Sequence, residues 1–203
     1  MQIWKVGILL FDGVEVLDFA GPFEVFAVTT INRGKAEAYK PFEVSTISET
    51  GKLITATNGL KITPDYSLDN APYFDLLVVP GGMGTRREIN NPILLDWISK
   101  RNQEVKWMTS VCTGAFLLAK NGLLNDKRAT THWASIERLR NEYPSITVVE
   151  HVKFMDEGRI VTSAGISAGI HMAFHMVRRL LGTKAAEETA RFMEFDIDFQ
   201  ESL

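Results

Sequence analysis

Cys112 is the only cysteine among the 203 residues. Its surroundings, Trp107-Met108-Thr109-Ser110-Val111-Cys112-Thr113-Gly114-Ala115-Phe116, pass from a strand pattern into a helical one with no intervening loop. Small residues, Ser110 and Gly114, stand two positions to either side of it. That is the arrangement of a nucleophile elbow, whose sharp turn crowds the neighbouring backbone. A sulfur at a helix N-terminus meets free N–H groups and the positive end of the dipole, so the expectation is a stabilised thiolate. The Thr113 N–H is then placed to receive negative charge on a substrate atom. The competing reading is a small apolar core residue, a common fate of free cysteine.

Asp18 follows the first apolar run, in Val14-Glu15-Val16-Leu17-Asp18-Phe19-Ala20-Gly21-Pro22. An acid between apolar neighbours and near a thiolate has its pKa raised by desolvation and like charge, and can serve as a general acid. It reads equally as an Asx-type turn or cap before Pro22. Glu15 and Glu24 are rivals for the acid role, each more simply read as solvated. Pro80-Gly81-Gly82-Met83-Gly84 lacks the length and the lysine of a phosphate loop, so a nucleotide reading fails. Its glycines let backbone approach a ligand, and the Gly82 N–H is a candidate second oxyanion donor; a tight turn needing positive φ explains them too.

His132, 20 residues after Cys112, reads as a base or ion-pair partner of the thiolate. It also reads as a packing residue beside Trp133, with Thr130 or Thr131 capping the next helix. His171 and His175 are one helical turn apart, but no glutamate follows His171 as an H-E-x-x-H zinc site needs. Packing on a helix flank is the expectation for both, and His151 carries no usable signal.

The elements that must position these groups alternate along the chain. Residues 4–11 form an apolar run ended by Asp12-Gly13, the pattern of a strand buried on both faces. Pro22 suits the first turn of a helix. A strand is expected over 41–48, and segments 53–57 and 60–63 flank the hairpin signal Asn58-Gly59. A buried strand over 75–80 ends at Gly81-Gly82, followed by a helix over 85–101. Then come a strand over 105–111, a helix over 113–120 closed by Asn121-Gly122, and a helix over 133–142. Strands follow over 146–152 and 159–163. Ile166, Ile170, Ala173, Phe174, Val177 and Leu181 make one helical stripe, and a last helix covers 183–195.

With no linker or repeat, the expectation is one α/β domain over residues 1–203: a mainly parallel sheet with helices on both faces, a three-layer sandwich. Ligand sites in such sheets lie beyond the carboxyl ends of the strands. Residues 12–22, 81–84 and 112–113 should therefore converge.

A net charge of -3 gives no general attraction to nucleic acid or anionic lipid. The start, MQIWKVGILLFDG, has too short an apolar stretch for a secretory signal. Nothing approaches the roughly 18 apolar residues of a membrane span. One cysteine allows no intramolecular disulfide and no thiolate zinc cluster, and fits a reducing cytoplasm. The expected partner is a small molecule, with neither nucleic acid nor membrane.

Four segments carry a resemblance: GILLFDGVEVLDFAGPFEVF, LLVVPGGMGT, TSVCTGAFLLAKNGLLNDKRATTHW and GRIVTSAGISAGIHMAF. Through them the chain resembles the ThiJ/PfpI superfamily, whose fold is flavodoxin-like, that of the class I glutamine amidotransferases. Within it the chain is most similar to the isonitrile hydratase branch; the same segments occur in the ligand-sensing halves of AraC-type regulators, although no helix-turn-helix region is recognised here. The resemblance implies Cys112 as nucleophile and Asp18 as its acidic partner. It implies that Thr113 orients water or an intermediate, and that the Gly82 and Thr113 N–H groups are the oxyanion donors. The superfamily's elbow histidine falls on His132. It further implies a homodimer, no cofactor or metal, and conversion of an isonitrile to an N-substituted formamide. Glyoxalase-like or deglycase-like chemistry on reactive carbonyls, and small-molecule or oxidation sensing, are the alternatives it leaves open.

Overall fold

The computed structural model describes residues 2–199. Its strands are β1 (Trp4–Leu9), β2 (Phe42–Ser48), β3 (Ile54–Thr55), β4 (Lys61–Ile62), β5 (Tyr66–Ser67), β6 (Leu76–Val79), β7 (Trp107–Val111), β8 (Arg128–Ala129), β9 (Thr147–Val148), β10 (Phe154–Asp156) and β11 (Ile160–Ser163). The α-helices are α1 (Val16–Val28), α2 (Thr85–Glu88), α3 (Pro92–Glu104), α4 (Gly114–Lys120), α5 (Ile136–Glu142), α6 (Ala168–Leu181) and α7 (Thr183–Phe192).

One sheet runs in the order β10-β11-β7-β6-β1-β2-β5. Every pairing in it is parallel except β10 with β11. The central strands read as apolar runs because both faces are covered: every residue of β6 and of β11 is buried. Thr109 donates to the Leu77 carbonyl at 3.1 Å and Ser163 to that of Ser110 at 3.1 Å, as burial favours, while the Ser110 hydroxyl has no partner among the described residues. Helices α1, α6 and α7 pack on one another, and α4 packs on β6, β7, α2 and α3. The α/β sandwich expected from the alternating pattern is the observed fold.

Several elements differ from the expectation. Helix α1 starts at Val16, so Pro22 lies inside it and Asp18 in its first turn. The turn-or-cap reading of Asp18 therefore fails; the cap position belongs to Glu15, which makes no side-chain cap bond. The helix expected over 85–101 is broken into α2 and α3 because Pro92 disfavours helical backbone at Asn91. Asn91 caps α3 instead, accepting from the N–H groups of Ile93 and Leu94. In the 146–152 segment only Thr147–Val148 forms a strand, paired with β8 outside the main sheet. The antiparallel edge strand β10 had no sequence expectation. Ile166 falls outside α6 and is 38 % exposed, whereas Ala173, Phe174 and Val177 are fully buried. The Asn58-Gly59 hairpin forms, with Ile54 opposite Ile62.

Candidate active site

The carboxyl ends of β1, β6 and β7 bring three loops together. The Glu15 N–H donates to the Gly81 carbonyl at 2.9 Å, and the Gly84 N–H to that of Gly13 at 3.0 Å. Cys112 sits where β7 turns into α4, with φ of 54°, a left-handed conformation that costs energy for any residue but glycine and persists because the surroundings impose it. Its N–H donates to the Ser163 carbonyl at 3.1 Å, and its carbonyl accepts from the Thr131 hydroxyl at 2.7 Å. Gly114 must be glycine here, since a Cβ on it would collide with the Val79 carbonyl oxygen.

Asp18 is fully buried. Its Oδ2 accepts from the Gly81 N–H at 3.0 Å, while Oδ1 has no hydrogen-bond partner among the described residues. Burial raises its pKa to about 7; the Glu15 charge adds to that, and the Gly81 N–H and the Cys112 thiol oppose it. No cation among the described residues contributes to its shift. The expected upward shift of Asp18 thus has desolvation as its main cause.

For Cys112 the expectation of a stabilised thiolate is wrong. Burial and then the Asp18 charge push the thiol up to about 12, and the opposing hydrogen bonds from the Thr113 N–H and hydroxyl do not compensate. The helix-end groups are present, as the sequence suggested, but desolvation outweighs them. Asp18 and Cys112 therefore form one coupled pair that keeps a proton between them through neutrality.

The Thr113 hydroxyl accepts from the Gly82 N–H at 3.0 Å and lies 3.1 Å from the Thr85 hydroxyl. The Gly82 N–H, a candidate oxyanion donor, is thus engaged by Thr113, and the Thr113 N–H faces the sulfur. This contact demands a bare backbone at Gly81, where a Cβ would stand 2.5 Å from the Thr113 nitrogen and 2.9 Å from Asp18 Oδ2. Thr85 is 2 % exposed; its partnership with Thr113 carried no sequence signal.

His132 is brought to the sulfur. A Cβ on Gly165 would meet Cys112 Sγ at 2.7 Å and His132 Cδ2 at 2.8 Å. The histidine Nδ1 accepts from the Ala134 N–H at 3.3 Å, so neutral His132 carries its proton on Nε2 and is a donor. His132 itself, and not Thr130 or Thr131, caps the turn at Trp133–Ser135.

Cys112, Thr113, Gly82, Thr85 and His132 line a pocket of about 290 Å³, with Glu15, Met83, Arg86, Arg138 and Ile166 among its walls; Asp18 is buried and is not part of the lining. Glu24 is exposed and lies apart from it. Gly165 and Ile166 were missed in the sequence because neither side chain can do chemistry; the small-residue run Ser163-Ala164-Gly165 is the signal that marked a close approach. His171 and His175 are not near Cys112: His175 Nε2 lies 2.7 Å from Asp156 Oδ2, and His171 packs edge-on to Phe195.

A family model described as the DJ-1/PfpI family matches residues 4–179. The chain is 31% identical over 195 residues to isonitrile hydratase of Pseudomonas putida, covering 96% of this chain and 78% of that protein. It is 30% identical over 182 residues to the HTH-type transcriptional regulator CdhR of Pseudomonas aeruginosa, covering 90% of this chain and 52% of the regulator. The chain thus spans about half the length of that regulator. A crystal structure of a ThiJ/PfpI family protein from Pseudomonas syringae superposes with a TM-score of 0.85 at 26% identity, over 98% of this chain and 77% of that one.

Proposed function

The chain belongs to the DJ-1/PfpI family, and from that premise we propose that it is a cysteine-dependent hydratase acting on isonitriles. The observation that carries this reading is the coupled Asp18–Cys112 pair, a proton donor and a nucleophile neither of whose pKa values is shifted by a cation. An isonitrile carbon must receive both a proton and a nucleophile, and a pair sharing one proton supplies both without external acid.

The steps balance as follows. The Cys112 proton passes to Asp18; the sulfur attacks the terminal carbon of R–N≡C, and Asp18 returns the proton to that carbon. The product is the thioimidate R–N=CH–S–Cys112 with Asp18 ionised. Water then adds to the same carbon, its proton taken by Asp18 and passed to nitrogen. Collapse breaks the C–S bond, releases R–NH–CHO and returns the proton to sulfur. The Thr113 N–H, which faces the sulfur, serves as a donor to the negative charge that develops, His132 offers its Nε2–H from the same pocket, and the Thr113 hydroxyl holds the Gly82 loop in place.

Aldehyde chemistry would draw on a base beside the thiolate, and the occupied Nδ1 of His132 weighs against that. Sensing without turnover is the second reading, supported by the likeness to a regulator. Incubation with a simple alkyl isonitrile separates them: formamide formation abolished in Cys112→Ala and crippled in Asp18→Asn is expected. Formamide made equally by both variants would overturn the mechanism, and tight isonitrile binding without product would favour sensing.

A further inference from the structure

A second cavity lies away from Cys112, between the segment after α1 and the α6–α7 corner. At about 660 Å³ against about 290 Å³ for the Cys112 pocket, it is the size of a small-molecule site. Its lining is unlike the rest of this acidic chain. Four cations face it, Arg33, Lys35, Lys184 and Arg191, against the single acid Glu188. Glu188 pairs only loosely with Lys184, at 3.9 Å, and neither Lys35 nor Arg191 has an ion-pair partner among the described residues.

The floor is apolar, from Leu181, Ala185 and the ring of Phe192, which stays 52 % exposed. One of the cations is held in place: the Arg33 guanidinium stacks 3.5 Å from the Phe192 centroid and donates to the Val28 carbonyl. Four like charges gathered about one acid repel one another, and an exposed ring beside them gains nothing from water. An anion with an apolar body relieves both at once.

We propose that this cavity binds a small amphipathic anion, a carboxylate or sulfonate on an apolar body, with the head among Arg33, Lys184 and Arg191 and the body on Leu181 and Phe192. The inference is independent of the chemistry at Cys112.

The test is fluorescence titration with the anionic dye anilinonaphthalene sulfonate, with its uncharged counterpart phenylnaphthylamine as the comparison. Saturable one-to-one binding is expected, displaced by decanoate and weakened several-fold as NaCl rises from about 50 to about 500 mM. Lys184→Glu/Arg191→Glu should raise Kd about tenfold or more, a loss of about 1.4 kcal/mol or more. Phe192→Ala should raise it several-fold. All three positions are exposed, so the variants should fold, which their circular dichroism checks. Equal affinity for the uncharged dye, no saturable binding, or a Kd unmoved in both variants would overturn the proposal.

Discussion

Two carboxylates, Asp18 in α1 and Asp156 in β10, have been given opposite environments. Asp156, at the sheet edge, accepts from Arg179 at 2.9 Å and lies 2.7 Å from His175. Burial alone would raise its pKa, but the His175 and Gly158 hydrogen bonds and the Arg179 and His175 charges outweigh that and bring it below the usual range. Asp18 has one backbone N–H and a thiol, and burial wins, raising it to about 7. The lesson is that a carboxylate provided with cations is fixed as an anion and holds structure. One denied them keeps a usable proton at neutral pH.

The largest effect that breaks this comparison is removal of the nucleophile. Cys112→Ala should lower formamide formation at least about a thousandfold, measured as kcat/KM, while Asp156→Asn leaves it within a fewfold. Next, Asp18→Asn should reduce kcat/KM by roughly 10²–10⁴-fold, the usual worth of a positioned acid. In the wild type, kcat/KM should rise with pH around 7, where the pair passes from two protons to one; that rise should vanish in Asp18→Asn.

Stability sharpens the same contrast. The folded pKa of Asp18 lies above its unfolded value of 3.8, so the native state binds the extra proton. Stability is greatest below pH 3.8 as far as this group is concerned and falls as pH rises to about 7, by on the order of 4 kcal/mol. Asp18→Asn should flatten that part of the Tm profile. Asp156 works the other way: its stabilisation is present above its unfolded pKa of 3.8 and lost as pH falls through its lower folded value. Because the group is partly exposed, solvent screening limits the effect, and Asp156→Asn should cost about 1 kcal/mol at pH 7. Thermal denaturation across pH measures both. A Tm for Asp18→Asn that tracks the wild type between pH 4 and pH 8 would contradict the assignment, as would an Asp156→Asn variant as stable as wild type.

What could be read from the residues depended on how local the signal was. The buried strands announced themselves as apolar runs, and Gly81-Gly82 and Gly114 marked where backbones meet, so convergence of the three loops was legible. Pro22 misled, because proline normally opens a helix and here lies inside one whose start carries Asp18. Strand β10 was hidden because its three residues are only half-buried and carry no alternation to detect. The balance at Cys112 could not be read either. Burial depth is a property of the assembled fold, and it decides whether the helix-end donors or desolvation sets the thiol's pKa.

The most direct test of the shared proton is the pH dependence of Cys112 alkylation by iodoacetamide, in wild type and in Asp18→Asn. The coupled pair predicts a first rise near pH 7, as Asp18 ionises and can take the thiol proton, and a second toward about 12. In Asp18→Asn the first rise should disappear and the second should move to lower pH, because the opposing charge is gone. A single titration at the ordinary thiol pKa of about 8.5, the same in both proteins, would show that the two groups do not share a proton.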